Sequence, residues 1–379
     1  MRTWRRVLTS SCLVGLAVLF GQQAARAQSG MEFQHGAPPK ENTAPAASLE
    51  SLPALPGVPG LTVTRPQGVA HIMPTVSLAA QRQKALARPG VNINSGPLIY
   101  HAGGQIMLPY AAMYIIYWAP AQLQNGGQTG FSPKYGVVNT LLGAWYAGHG
   151  LGSNSTQYFQ TINSTTTYSQ NNGGLGGIFI DQTTPYPASG CNDPAPRNPL
   201  FPTGINVSGT NCINDSQIQA EVQHAIAVNS WPNGGFNNMF LVFTSSGENS
   251  CFDSSSTQCS YQVYCAYHSF ISNGPSPIIY GNEPFGDPST CANTTSFPNE
   301  NFSDIAANVA SHEMTEAMTD PLLNAWFDSS GNEIGDLCNF NFGTNTWDSG
   351  LANQMWNGFF FLLQQEFDNH TGTCVQTGP

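Results

Sequence analysis

The chain has 379 residues, of which 40% are hydrophobic and only 9% charged, and its formal net charge is −11 at pH 7. Beyond Asn94 the only Lys or Arg residues are Lys134 and Arg197, so the folded part is strongly acidic. Nucleic acids and anionic membranes are bound through basic surfaces, which excludes both as expected partners. Few ion pairs can be lost on acidification, so the composition suits either a protein that works in acid or simply a polar extracellular surface.

Residues 1–27 have the pattern of a signal peptide. Basic MRTWRR is followed by the apolar VLTSSCLVGLAVLF and by a small-residue cleavage site, Ala-Arg-Ala, at residues 25–27. No later segment has the roughly 20 consecutive apolar residues that cross a bilayer. We therefore expect a secreted, extracellular protein with no membrane partner.

Residues 28–95 differ in composition from the rest of the chain. The stretch APPKENTAPAASLESLPALPGVPG is rich in Pro and Ala and has no sustained periodicity, which predicts a disordered leader, either a propeptide or a tether. Within it, AAQRQKALARPG can form a short helix. Residues 96–379 contain aromatic and β-branched runs separated by Gly and Asn, and we expect them to form one globular domain.

Strands and helices alternate along this domain. AMYIIYWAP and LGGIFID are predicted strands on either side of a helix in KYGVVNTLLGAWYAG. Asp215 is predicted to cap a helix through SQIQAEVQHAIAV, with Glu221 on its outer face. NMFLVFTS, YQVYCAYHSF and PIIYGN are predicted strands, and Ser303 is predicted to cap a helix that ends before Pro321. The closing FFFLLQQEF is a strand or a helix. This order predicts an α/β or α+β fold: a single layered mixed-sheet domain with a metal-site helix near its C-terminus.

The cysteines indicate disulfide bonds. Without Cys12, in the signal peptide, the count is eight, and an even number in an exported chain favours disulfides. Proximity in sequence suggests the pairs Cys191–Cys212, Cys251–Cys259, Cys265–Cys291 and Cys338–Cys374. A cysteine metal site is disfavoured, because the chain has no C-x-x-C pair.

The stretch SHEMTE in the last predicted helix resembles the zinc-peptidase signature H-E-x-x-H, with a glutamate in place of the second histidine. His312 and Glu316 are four residues apart and therefore lie one turn from each other on one face. Ile305 and Val309 continue that face, so we expect it to point into the domain. Two ligands one turn apart can bind the same ion, and Glu313 stands where a zincin places the general base that activates a metal-bound water.

A third protein ligand must come from elsewhere in the chain. The following stretch, NAWFDSSGNEIGDLCN, supplies Glu333 and Asp336, and their spacing alone does not decide between them. A carboxylate in place of the second histidine makes the site more anionic, so zinc is the expected ion while manganese and calcium stay open. The alternative is an ordinary buried His–Glu hydrogen bond without an ion.

Several segments resemble, in the same order, the EXORDIUM / phosphate-induced-protein-1 family of secreted proteins. They are LIYHAGGQI with MYIIYWAP, DSQIQAEVQHAIA with MFLVFTS, YCAYHS with IIYGNE, and the block SHEMTE, DPLLNAW and EIGDLCN. The resemblance implies an extracellular, cell-wall-associated protein. It also implies that the residues proposed above form one block, and it adds His268 as a potential third ligand and His101 as a further member.

The sequence therefore predicts a secreted, zincin-like metal-dependent hydrolase, most readily a peptidase. Glu313 is its expected catalytic residue, and the expected metal ligands are His312, Glu316, Glu333 and Asp336. Its expected partner is an extracellular peptide or a cell-wall polymer. The alternative is a non-catalytic cell-wall or carbohydrate-associated protein in which the same residues form a structural network or ion site; Trp326 and Trp347 could then line a sugar-binding cleft.

Overall fold

The structure is a computed structural model that describes residues 43–44, 60–65, 68–86, 98–130, 133–195 and 211–378. Its helices are α1 Val76–Leu86, α2 Pro133–Trp145, α3 Asp215–Asn229 and α4 Asn301–Thr319. Its strands are β1 Thr43–Ala44, β2 Thr62–Arg65, β3 Gly68–Pro74, β4 Ile99–His101, β5 Ala111–Trp118, β6 Phe159–Ile162, β7 Thr165–Tyr168, β8 Gly173–Asp181, β9 Cys191–Asn192, β10 Asn211–Asn214, β11 Asn238–Thr244, β12 Ser250–Cys251, β13 Tyr264–Ile271, β14 Ile278–Glu283, β15 Trp326–Phe327, β16 Gln354–Trp356, β17 Phe359–Phe361, β18 Glu366–Asp368 and β19 Thr373–Val375.

The central feature is a seven-stranded sheet with the order β2-β3-β13-β14-β11-β5-β8. Strands β14, β11, β5 and β8 run parallel, whereas β13 is antiparallel to both of its neighbours, β14 and β3. Strands β5, β11 and β14 are buried along their whole length, which explains their continuous apolar sequences. The predicted mixed α/β fold is confirmed.

The helices cover the apolar side chains of this sheet. Ile218 and Val222 of α3 belong to the same buried cluster as Tyr114, Phe240 and Tyr280. These three aromatic residues are register partners on the adjacent strands β5, β11 and β14. The intervening sheet residues point to the opposite side, where α2 approaches so closely that a Cβ on Gly143 would lie 3.1 Å from Ile115 Cδ1. The helix α4 packs against β13, β14 and α2.

The C-terminal half of the predicted leader contributes to the domain. Strand β3 pairs with β13 inside the main sheet, and α1 follows it directly, so the prediction of a disordered segment over 28–95 does not hold for residues 68–86. Ile72 and Met73 are fully buried. The short helix expected in AAQRQKALARPG is present as part of α1. The error arose because strand pairing between residues about 200 positions apart leaves no local signal in a segment rich in Pro and Ala.

Two helix starts differ slightly from the prediction. Asn214, and not Asp215, caps α3 by accepting a hydrogen bond from the Gln217 backbone, with Gln217 completing a capping box. Helix α4 begins at Asn301 after Glu300, and Ser303 donates to the Glu300 carboxylate. The closing FFFLLQQEF contributes the short strands β17 and β18 in place of one long element.

Four disulfides have the pairing expected from sequence: Cys191–Cys212, Cys251–Cys259, Cys265–Cys291 and Cys338–Cys374. They indicate folding in an oxidising environment. None of the helices in the described part of the chain could span a bilayer. All the described residues fall in one compact unit.

Candidate metal centre

Two histidines lie side by side on the main sheet. His71 of β3 is the direct register partner of His268 of β13, and the next partner in the row is Gly281 of β14. Register partners point to the same face of a sheet, so both imidazoles project to the side where α4 packs. Both side chains are completely buried. At Gly281 the neighbouring Leu241 and Glu283 side chains fill the space that a Cβ would take.

Helix α4 presents its histidine and two glutamates to these rings. His312, Glu313 and Glu316 are fully buried, as the apolar stripe through Ile305 and Val309 predicts. The opposite side of the helix is also buried: the Thr315 hydroxyl, for example, hydrogen-bonds to Tyr146. The helix is therefore enclosed all round, and any charge on it is removed from bulk water.

The loop after α4 closes the other side of the cluster. Asp336 begins a short 3₁₀ turn and its Oδ2 accepts a hydrogen bond from the Glu333 backbone, 2.9 Å away. Between them, Gly335 passes so close to His312 that an added Cβ would lie 2.5 Å from His312 Nδ1. A side chain at this position would therefore displace the imidazole or the loop. Gln364 holds the same ring from another side, with its Nε2 3.0 Å from His312 Nδ1.

Four of these side chains form a ring of donor atoms. His71 Nε2 lies 2.7 Å from Asp336 Oδ2, and Asp336 Oδ1 lies 3.9 Å from His312 Nε2. His312 Nε2 is 3.0 Å from Glu316 Oε1, and Glu316 Oε2 is 4.0 Å from His71 Nε2. Around a tetrahedral zinc ion with bonds of about 2.0–2.1 Å, neighbouring donors lie about 3.3 Å apart. The ring therefore has the dimensions of a metal site.

A second group adjoins this ring. His268 Nδ1 lies 3.0 Å from Glu313 Oε2 and 3.6 Å from Glu316 Oε2, while Glu313 Oε1 accepts a hydrogen bond from the Met73 backbone. Glu333 lies between the sheet histidines, with its oxygens 3.8 Å from His71 Nδ1 and 3.9 Å from His268 Nε2. The structure thus brings every residue of the predicted site together and adds His71 to them.

Many polar atoms of the cluster have no hydrogen-bond partner among the described residues. They include His312 Nε2, His268 Nε2 and both oxygens of Glu316 and of Glu333, all of them buried. A buried polar atom without a partner costs about 1–3 kcal/mol, and more if it is charged. Lone pairs that face one another across 3–4 Å without hydrogen bonds fit a divalent cation between them. Two overlapping sets of potential ligands are present: His71, Glu316 and Asp336, and His268, Glu313 and Glu316.

Burial dominates the electrostatics of the ion-free cluster. Desolvation lowers the pKa of His268 to about 3 and also lowers the pKa of His71, so both rings are neutral and able to act as ligands. Desolvation raises the pKa of Glu313 to about 7 and the pKa values of Glu316 and Glu333 well above their usual range. For Asp336, burial is the largest effect and acts in the same direction, but the contacts with His71, His312 and the Glu333 backbone together hold the pKa below its ordinary value.

The other residues considered from sequence lie in different surroundings. His101 stacks on Phe327, with ring centroids 3.8 Å apart, and belongs to neither set of potential ligands. Trp326 is buried in an aromatic cluster with Tyr100 and Phe159, so it is a core residue and cannot line a sugar-binding cleft. Trp347 is 43% exposed. Sequence reasoning missed His71; its only signal was an apolar pattern in GVAHIMP, where a lone histidine interrupts a short strand.

No protein-family model, curated protein or solved structure matches this chain.

Proposed function

We propose that the protein is a secreted, zincin-like metal-dependent hydrolase that acts on peptide bonds. The observation that carries the proposal is the ring formed by donor atoms of four side chains, in which His312 and Glu316 come from one turn of α4 and His71 and Asp336 come from two other segments. These four residues would hold the ion. Glu333 Oε1 lies 3.8 Å from the outer nitrogen of His71, on the side from which a carboxylate typically orients a ligating histidine.

The mixed nitrogen and oxygen donors favour zinc, with manganese next, and calcium least because it prefers oxygen ligands. When bound, such an ion would polarise a substrate carbonyl and make a nearby water more acidic. Glu313 adjoins the ring, and its pKa of about 7 is close to the value at which a carboxylate is effective as a general base at neutral pH. His268 lies at hydrogen-bond distance from Glu313 and orients its carboxylate.

The extracellular setting of the proposal is supported by the four disulfides and by the signal-peptide pattern of residues 1–27. Membership of the EXORDIUM / phosphate-induced-protein-1 family is part of the proposal and is supported only by the ordered segments quoted above. The expected substrate is an extracellular peptide, and a cell-wall polymer is the alternative.

A second candidate function is a structural ion site in a non-catalytic extracellular protein. It is favoured by the complete burial of the cluster and by the two hydrogen-bond contacts of Glu313, which occupy both of its oxygens. In this alternative the cation joins the sheet, α4 and the following loop, and contributes to folding in the way that structural zinc does.

The two candidates differ in the effect of Glu313→Gln. We expect the purified mature protein to contain tightly bound zinc or manganese and to lose it in Glu316→Ala. For a hydrolase, Glu313→Gln retains the ion but loses cleavage of a broad peptide panel by a factor of about 100 or more. An ion-containing wild-type protein with no activity on peptides or glycans supports the structural candidate. Absence of any bound ion, with unchanged stability in Glu316→Ala, refutes both.

A further inference from the structure

Glu316 belongs to both sets of potential ligands. One of its oxygens faces His312 at 3.0 Å, and the other lies between His268, 3.6 Å away, and His71, 4.0 Å away. The sets His71–Glu316–Asp336 and His268–Glu313–Glu316 are otherwise separate, and they use different strands of the sheet. A carboxylate placed in this way has the position of a bridge between two adjacent cations.

The charge of the cluster exceeds what one ion can balance. Glu313, Glu316, Glu333 and Asp336 are all buried at 8% exposure or less. When they are ionised, one divalent cation leaves two negative charges uncompensated in a region removed from water, which is strongly unfavourable. A second divalent cation balances the charges of these four carboxylates, and the buried acids Glu283, Asp320 and Glu366 add further negative charge around them. The buried Arg82 donates to the side chain of Asn332 and also interacts electrostatically with Asp336.

Unpartnered polar atoms also lie beside the second set. Among the described residues, neither His268 Nε2 nor the Glu333 oxygen 3.9 Å from it makes a hydrogen bond, although both are fully buried. His268, Glu313 and Glu316 each offer one ligand atom within 4.8 Å of the others. These distances leave room for a cation that draws the three groups inward by a few tenths of an ångström.

We propose that the centre binds two divalent cations, with Glu316 as the bridging carboxylate. His71, His312 and Asp336 complete the first site, and His268 and Glu313 complete the second. This inference extends the proposed function, since it rests on the first ion being bound. Paired ions about 3.5–4 Å apart occur in hydrolases, where they hold both the attacking and the leaving oxygen. In that case Glu313 would hold the second ion instead of acting as the general base, and the two ions would supply the acidification of a nearby water.

The number of bound ions tests this inference without an activity assay. The full mature chain is loaded with Zn²⁺ or Mn²⁺, washed free of excess ion and analysed by native mass spectrometry. We expect two ions in the wild type and in His224→Gln, a control at a histidine of α3 on the far side of the sheet. We expect one ion in His268→Gln. The Mn²⁺-loaded wild type should show the EPR spectrum of a spin-coupled pair, and His268→Gln that of an isolated ion.

The outcomes separate this inference from the proposed function. One ion in the wild type, retained in His268→Gln and lost in His71→Gln, overturns the second site and leaves the first in place. No ion in any variant overturns both. The wild-type count decides between one and two ions even if His268→Gln does not fold.

Discussion

Replacing Glu221 by Gln should make the protein more stable at alkaline pH. Glu221 was expected on the outer face of α3, but it is only 2% exposed, and its Oε1 has no hydrogen-bond partner among the described residues. Burial, together with the nearby Asp181 carboxylate, raises the pKa of Glu221 from 4.5 to about 8. Folding therefore favours the protonated acid, and a glutamine of nearly the same shape reproduces that acid without being able to ionise.

The direction and size of the effect follow from linkage. Because the pKa of Glu221 is raised on folding, its contribution to stability is fully present below pH 4.5 and is lost as the pH rises through 8. A shift from 4.5 to about 8 corresponds to a ceiling of about 5 kcal/mol at 1.36 kcal/mol per unit. Water next to the neighbouring His224, whose side chain is 39% exposed, will screen the charge, so we expect about 2–3 kcal/mol.

Urea denaturation of both proteins at about pH 5 and pH 9 measures this difference. At each pH, the stabilisation is the free energy of unfolding of Glu221→Gln minus that of the wild type. This stabilisation should be about 2–3 kcal/mol larger at pH 9 than at pH 5. Gln223→Glu is the matched control, since it places a carboxylate on the exposed side of the same helix and should show little change with pH. An equal difference at both pH values would refute the reasoning.

Three further predictions concern the metal centre and its supports. Removal of the metal by a chelator should lower the free energy of unfolding by about 4 kcal/mol, relative to a sample with free Zn²⁺ about 1,000-fold above its Kd. Adding Zn²⁺ back should restore the stability, and unchanged denaturation curves would contradict this prediction. Gly335→Ala places a Cβ 2.5 Å from His312 Nδ1 and should weaken metal binding about 10–100-fold, as measured by calorimetry. If the variant binds metal as tightly as the wild type, Gly335 does not fix the position of the His312 ring. Replacing both Cys265 and Cys291 by Ser opens a loop with a sequence separation of 26 and should cost about 3 kcal/mol in urea denaturation. The same double variant should bind metal more weakly, because Cys265 lies on the strand that carries His268; unaltered affinity would separate the disulfide from the site.

The part of the site that lies on one helix was predictable because its geometry is local. The i and i+4 spacing of His312 and Glu316 fixes their common face whatever surrounds the helix, and Ile305 and Val309 identify that face as buried. Local spacing could not decide between Glu333 and Asp336. In the structure it is Asp336 that faces His312, while Glu333 faces the two sheet histidines.

His71 could not be predicted in the same way, because its position depends on a non-local pairing. Only the register of β3 against β13 places it beside His268, and that register is fixed by contacts between segments about 200 residues apart. Glu221 illustrates a similar limit. Its burial depends on residues around Asp181 that reach it only in the folded domain.

The location of a bound cation tests the central claim most directly. Anomalous diffraction at the zinc edge, from crystals of the mature protein loaded with Zn²⁺, should show a peak about 2.0–2.2 Å from donor atoms of His71, His312, Glu316 and Asp336. A well-ordered cluster with no anomalous peak, in which His71 stays 2.7 Å from Asp336 and His312 stays 3.0 Å from Glu316, would contradict the account.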